Sequence, residues 1–263
     1  MVATRIYVLV KKNLLSTCRD FARISDMFFW PLIDITIWGF TGTWVQGSPN
    51  TGSALPLMLL CAIVLWQATW RASIDVTISL FDELTSRNLL NLFVTPLQLN
   101  EWAVAGMILG LIKTCVMIPY SALIVWLMYG INIFAVGWGL LICLALLIMS
   151  GWFIGFLAAC CLLIGGQKMQ TIMWMSSWLF LPFSGVFYSI KVLPAWAQVI
   201  SHALPMTYIF ESVRIYIMHG TLPLNYLLLG ATLSMLYIAC ALVFFKISFE
   251  YAKGNGLMQL EKE

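Results

Sequence analysis

From Thr114 to Gln167 the chain carries no Asp, Glu, Lys or Arg, and the stretch from Ile35 to Trp70 is equally free of formal charge. A bilayer crossing takes about 20 mostly apolar residues, so each run is too long for a single crossing. Composition points the same way, with 62% apolar and 10% charged residues, where soluble domains carry roughly 25% charged ones. A soluble globule with this balance could not cover its surface with polar groups. A soluble enzyme, a disordered tail and a nucleic-acid-binding domain are excluded on this ground, and a net charge of +3 is too small for a nucleic-acid footprint. What remains is an all-α integral membrane protein, a single transmembrane domain over residues 1–263.

Turn chemistry divides the runs. Gln46-Gly-Ser-Pro-Asn-Thr-Gly-Ser53 separates spans expected at 27–46 and 55–80. Gly130, Asn132, Gly137 and Gly139 separate spans at 102–129 and 138–164. Gly165-Gly166-Gln167-Lys168 turns the chain into a fifth span, 169–188, and a sixth covers 223–245. Lys and Arg orient the set. With the N-terminus inside, Arg5, Lys11, Lys12, Arg19, Arg23, Arg87, Lys168, Lys246, Lys253 and Lys262 fall on the cytoplasmic side. Only Lys191 and Arg214 fall outside, so both termini are expected in the cytoplasm.

Three segments are not simple spans. Residues 4–24 place Arg5, Lys12, Ser16, Arg19 and Arg23 on one helical face and Ile6, Val10, Leu14, Cys18 and Phe21 on another. Such a basic amphipathic helix lies along headgroups; it serves as a topology anchor, as a docking element, or as both. Residues 82–92 read as a short polar helix in the first cytoplasmic loop, ended by Pro96. Its Leu84, Leu89 and Leu92 either pack on the interfacial helix or insert into a partner. Residues 190–222 are apolar but broken by Pro194, Pro205 and Gly220, which fits a re-entrant outer hairpin.

Charges inside the spans are few. Arg71 and Asp75, four apart on one helix, can neutralise each other or line a passage. Asp34 and Lys113 are candidates for the same network, and Glu211 and Arg214, three apart, make a second pair. The 12 Trp, 16 Phe and 9 Tyr serve as interfacial belts and packing, with a few lining a path for sugar or lipid. The seven Cys read as small hydrophobes rather than as a metal or disulfide set. No phosphate-binding loop, zinc-hydrolase motif or nucleophile elbow occurs. No catalytic or metal site is expected, so any ATP must be hydrolysed by a partner.

At this point the chain resembles the membrane subunits of type-2 ATP-binding-cassette exporters. Members carry an interfacial helix and six spans. Their first loop ends in a Leu-rich stretch closed by Thr-Pro, here Ser86-Arg-Asn-Leu-Leu-Asn-Leu-Phe-Val-Thr95-Pro96-Leu97. Their last hairpin has a Leu-Pro, then Asn-Pro, Thr, Tyr and an Arg; here Leu193-Pro194-Ala-Trp196 is followed by Leu204-Pro205-Met206-Thr207-Tyr208 and Arg214. This chain departs in having Arg87-Asn88-Leu89-Leu90 where many relatives have Gly-Thr-Leu-Glu, and Leu204 in place of the Asn.

The resemblance implies a symmetric dimer of this chain in the bacterial inner membrane, served by two ATPase subunits that bind ATP and Mg. Asp82, Glu83, Leu84, Arg87, Leu89 and Leu92 would couple to the ATPase. Pro194, Trp196, Pro205, Tyr208, Glu211 and Arg214 would form the outer gate. Cargo would be amphipathic or hydrophobic: a drug, a lipid or a lipid-linked glycan. Two other readings compete. One is a stand-alone secondary transporter or channel using the intramembrane charges; the other is a membrane-embedded enzyme built on His202 or Glu211.

Overall fold

Leu55–Thr85 is the helix around which the others gather. The computed structural model describes residues 2–46, 55–86, 88 and 95–254. Within them the helices are α1 (Val2–Arg19), α2 (Phe21–Gln46), α3 (Leu55–Thr85), α4 (Leu99–Tyr129), α5 (Gly139–Gly165), α6 (Gln170–Phe180), α7 (Ala195–Ala203), α8 (Pro205–His219) and α9 (Leu224–Gly254). No strand occurs among the described residues. In the most apolar part of α3, 83% of residues are buried inside the protein, against 22% for α9. So α3 is the centre and α9 an outer helix. Helices α2, α4, α5 and α6 surround α3, and Trp66, Leu60, Ile63, Ile74 and Leu80 of α3 are all fully buried.

The closest packing is between α3 and α5, and two glycines create it. A Cβ on Gly151 would lie 2.4 Å from the Thr69 carbonyl oxygen, and one on Gly155 would lie 2.6 Å from that of Ser73. The two glycines are one turn apart, as are Thr69 and Ser73. In apolar surroundings there is no hydrophobic drive between helices, so contact comes from small residues that let backbones approach. On its other side α5 carries α9, through the Ser150–Ser234 hydroxyl contact of 3.2 Å and the Phe156–Phe245 rings 5.3 Å apart.

Among the described residues, four stretches are long and apolar enough to cross a membrane: Leu55–Thr85, Leu99–Tyr129, Gly139–Phe183 and Leu224–Gly254. The third is two segments. Gly166 takes φ 64° at the expected turn, and the rings of Phe153 and Phe180 sit 6.3 Å apart, so α6 folds back along α5. Several bounds differ from the sequence expectation. The interfacial helix stops at Arg19, because Asp20 leaves the helix and its Oδ1 accepts from the Ala22 amide at 3.0 Å, opening α2. Arg23 therefore belongs to α2, which starts at residue 21 rather than 27. The expected span 169–188 is α-helical only over 11 residues, about 16 Å. Pro182 turns it into a 3₁₀ turn, and Gly185 reverses the backbone at φ 69°. Helix α9 runs nine residues past the expected 245, since Lys246, Glu250 and Lys253 continue the helix beyond its apolar part.

Candidate functional site

Helix α3 carries a buried polar row, including Gln67, Arg71, Asp75, Ser79 and Glu83, which faces its neighbours along its length. Where each side chain finds its partner divides the molecule into four zones.

At one end of the bundle, the last turns of α3 are clamped by α1 and by the start of α2. Arg23 donates to Asp82 through two bonds of 2.7 and 2.9 Å. Lys12 pairs with Glu83, and Arg5 pairs with Glu101 of α4 at 3.4 Å and donates to the Pro96 carbonyl. A guanidinium keeps its proton at any accessible pH, so Arg23 holds Asp82 as a cation. Two bases of α1, Arg5 and Lys12, thus reach acids of the bundle, while Lys11 and Arg19 are exposed. Asp82, Glu83 and Leu84 do not begin a separate helix, as expected for 82–92, but continue α3 to Thr85. Arg87, Leu89 and Leu92 lie outside the described residues.

One level deeper, a cavity of about 350 Å³ is lined by Arg23, Asp26, Arg71, Asp75, Asp82 and Lys113, three acids against three bases. The pairing within it is not the one the spacing suggested. Arg71 reaches across to Asp26 of α2 at 3.6 Å, and Asp75 takes Lys113 of α4 at 2.7 Å. Facing directions explain this: each residue looks toward a different neighbouring helix, and a partner there is at hand. Atoms Nε and Nη2 of Arg71 and Oδ2 of Asp75 are buried without a hydrogen-bond partner.

Asp34 does not join that network. It stands two turns along α2 from Asp26 and accepts from Gln67 of α3. It lines a separate cavity of about 210 Å³ whose other walls are Trp30, Trp66, Trp70, Trp174 and Trp178, together with Gln67. Every acid from Asp20 to Glu211 except Asp34 has a Lys or Arg within 4.0 Å, among the described residues. Oε1 of Gln67 and Nε1 of Trp70 are buried here without a partner. Trp70 and Trp174, with ring centroids 6.5 Å apart, stand between this cavity and the charged one, and the Arg71 guanidinium lies 5.0 Å from the Trp70 ring. The tryptophans were not singled out by sequence reasoning. The signal was there: Trp30 and Asp34, Trp66 and Trp70, Trp174 and Trp178 are each four apart, one face of each helix.

At the opposite end, α7 and α8 are helices of 9 and 15 residues broken at Leu204–Pro205. Glu211 and Arg214 pair at 2.8 Å. Both also hold the loop after α6: Glu211 accepts from Ser189 Oγ at 2.9 Å, and Arg214 donates to the Gly185 carbonyl at 2.9 Å. Tyr208 donates to the His202 carbonyl at 2.8 Å, which closes α8 onto α7. Pro194 caps α7 and Pro205 opens α8, while Trp196 is exposed with its ring edge-on to Phe183 at 6.1 Å.

The cysteines are less uniformly buried than expected: Cys61, Cys143 and Cys160 are buried, Cys161 is half-buried, and Cys18, Cys115 and Cys240 are exposed. No curated protein matches the chain. The family model for the ABC-2 type transporter matches residues 4–218, from the first helix through the broken hairpin. A chain of long apolar helices that matches this family over that length belongs to it: the protein is a multi-pass membrane permease of an ABC-2 type transporter, a family that works with an ATP-binding-cassette ATPase.

Proposed function

We propose that this permease is half of an exporter: two copies form the pathway, and two ATPase subunits drive it from the cytoplasm by binding and hydrolysing ATP with Mg. The observation that carries the reading is the clamp of α1 and α2 on the end of α3. Arg5, Lys12 and Arg23 tie the N-terminal helices to Glu101, Glu83 and Asp82. A push on the loop after Thr85 would then reach α1, α2, α3 and α4 together. This is the rigid coupling that an ATP-driven change between two states needs.

In this reading α2, α3, α4, α5, α6 with its 3₁₀ extension, and α9 make six crossings in the bacterial inner membrane, with both termini cytoplasmic. The α7–α8 hairpin is a re-entrant outer gate. Its two helices are each shorter than a crossing, and the loop at 184–190 is tied to α8 by Glu211 and Arg214. Amphipathic or hydrophobic cargo would pass between the copies along α2, α3 and α6.

The test is affinity purification of the chain from its native membrane. A stoichiometric ATP-binding-cassette subunit, lost when Glu83, Leu89 and Leu92 are changed to Arg, is the expected result. A homomer that transports without any ATPase overturns this reading in favour of a secondary transporter.

A further inference from the structure

Five tryptophans and one carboxylate surround the cavity between α2, α3 and α6. Indole faces carry negative electrostatic potential, and Trp is the best of the aromatic partners for a cation. Asp34 adds a formal negative charge that has no Lys or Arg partner among the described residues. The Gln67 amide adds to it: its Nε2 donates to Asp34, which leaves Oε1 as a buried, unpartnered acceptor. The carboxylate and the amide oxygen therefore share the sign of an indole face, while the Trp70 N–H edge carries the opposite one.

A lone acid at membrane depth is expensive unless something positive meets it. The neighbouring cation on α3, Arg71, does not: it lines the adjoining cavity, on the other side of Trp70 and Trp174, and is paired with Asp26. Size limits the occupant. About 210 Å³ is below the roughly 300–1,000 Å³ of a pocket that encloses a drug-sized molecule. It suits a headgroup whose tail leaves through the rim, where Trp30, Trp174 and Trp178 are 44%, 38% and 49% exposed.

We propose that this cavity binds the cationic headgroup of an amphipath, a quaternary ammonium or a protonated amine, with Asp34 as counterion and the tryptophans as its cage. A protonated amine would also donate to Gln67 Oε1. The Trp70 indole N–H remains to donate to an ether, ester or hydroxyl oxygen beside the charge. That the bound molecule is cargo rests on the exporter reading; that the cavity binds organic cations does not.

The experiment uses the purified permease, with its ATPase where one co-purifies, in nanodiscs of uncharged lipid. Equilibrium dialysis measures radiolabelled phenyltrimethylammonium and its neutral isostere tert-butylbenzene, each corrected for empty discs. Saturable binding of the cation is expected, at least about tenfold tighter than the isostere. Asp34→Asn and, separately, Trp178→Leu should each weaken it by about tenfold or more; Trp178 is half-exposed, so its replacement does not depend on a repacked core. Trp126→Phe, on the exposed face of α4, should leave it unchanged. Equal binding of the two probes, no saturable binding, or displacement of neither probe while octyl glucoside binds would overturn the proposal, the last assigning the cage to a sugar. Stimulation of the complex's ATPase by the cation is read separately. Binding without stimulation leaves the site standing and removes its role in cargo selection. Active ATPase without binding leaves the exporter standing and removes the site.

Discussion

Asp75 has no exposed side-chain surface and depends on one cation, Lys113, 2.7 Å away on another helix. Breaking a buried pair leaves an uncompensated charge, whereas removing both partners together is often neutral. Lys113→Met should therefore cost about 3–5 kcal/mol of stability, read as a lower melting temperature in detergent. The double variant Asp75→Leu with Lys113→Met should recover most of that loss. Exchanging Arg71 and Asp75 gives a sharper result. It would set an acid against Asp26 and a base against Lys113, so folded yield should collapse; a variant that folds like the parent would mean the two are each other's partner after all. The sequence places Arg71, Asp75 and Lys113 inside spans and shows that each needs a partner, but leaves Asp26 just ahead of the first span and outside the network. It does not show which partner, because spacing reports neighbours on one helix only, and these side chains look across helices. The tryptophan cage escaped for the same reason: three pairs on three helices become one wall only when the bundle is assembled.

Among elements, α3 and α5 approach through Gly151 and Gly155, so bulk there pushes two backbones apart. Gly151→Leu and Gly155→Leu should each abolish folded protein on size-exclusion chromatography. Gly110→Ala, whose Cβ would meet Ala72 at an ordinary 3.5 Å, should be tolerated. The turn residues mark where α4 and α5 begin and end to within a few positions, since Gly130 and Gly166 must adopt positive φ. Element ends set by polar side chains were harder to read. Asp20 starts a helix where a continuous one was expected, and α6 unwinds at Pro182, a breaker that the hydropathy of the run masked. At the clamp, Arg23 and Asp82 are about one-third exposed, so their pair is worth less than about 1 kcal/mol of stability. Asp82→Asn should barely move the melting temperature, yet lower the cargo moved per ATP hydrolysed in the reconstituted complex; a fall in stability with unchanged coupling would make the contact purely architectural.

Across the whole molecule, the cysteines offer a ready map of the membrane. Cys18 is exposed near the end of α1, while Cys61, Cys143 and Cys160 are buried. In the proposed orientation, a membrane-impermeant maleimide should label Cys18 in inside-out vesicles and not in right-side-out ones. Cys61, Cys143 and Cys160 should stay unlabelled until the protein is denatured. Labelling of Cys18 from the outside would reverse the topology and, with it, the side on which an ATPase could act.

The clamp also bears on the order of synthesis. Helix α1 leaves the ribosome first, but the acids that its own Lys12 and Arg5 meet come 71 and 96 residues later, and the Asp82 that holds Arg23 comes 59 later. Until α3 and the start of α4 emerge, Arg5 and Lys12 lack the acids they meet in the folded protein, and Arg23 has only Asp20, 3.0 Å away and three residues before it. For that interval an amphipathic helix can rest on the headgroups, as its pattern suggests. The lipid surface would be a waiting station, and the acids at the end of α3 and the start of α4 would then fix the helix there by Arg5 and Lys12, with Tyr7, Val8 and Leu15 still outward.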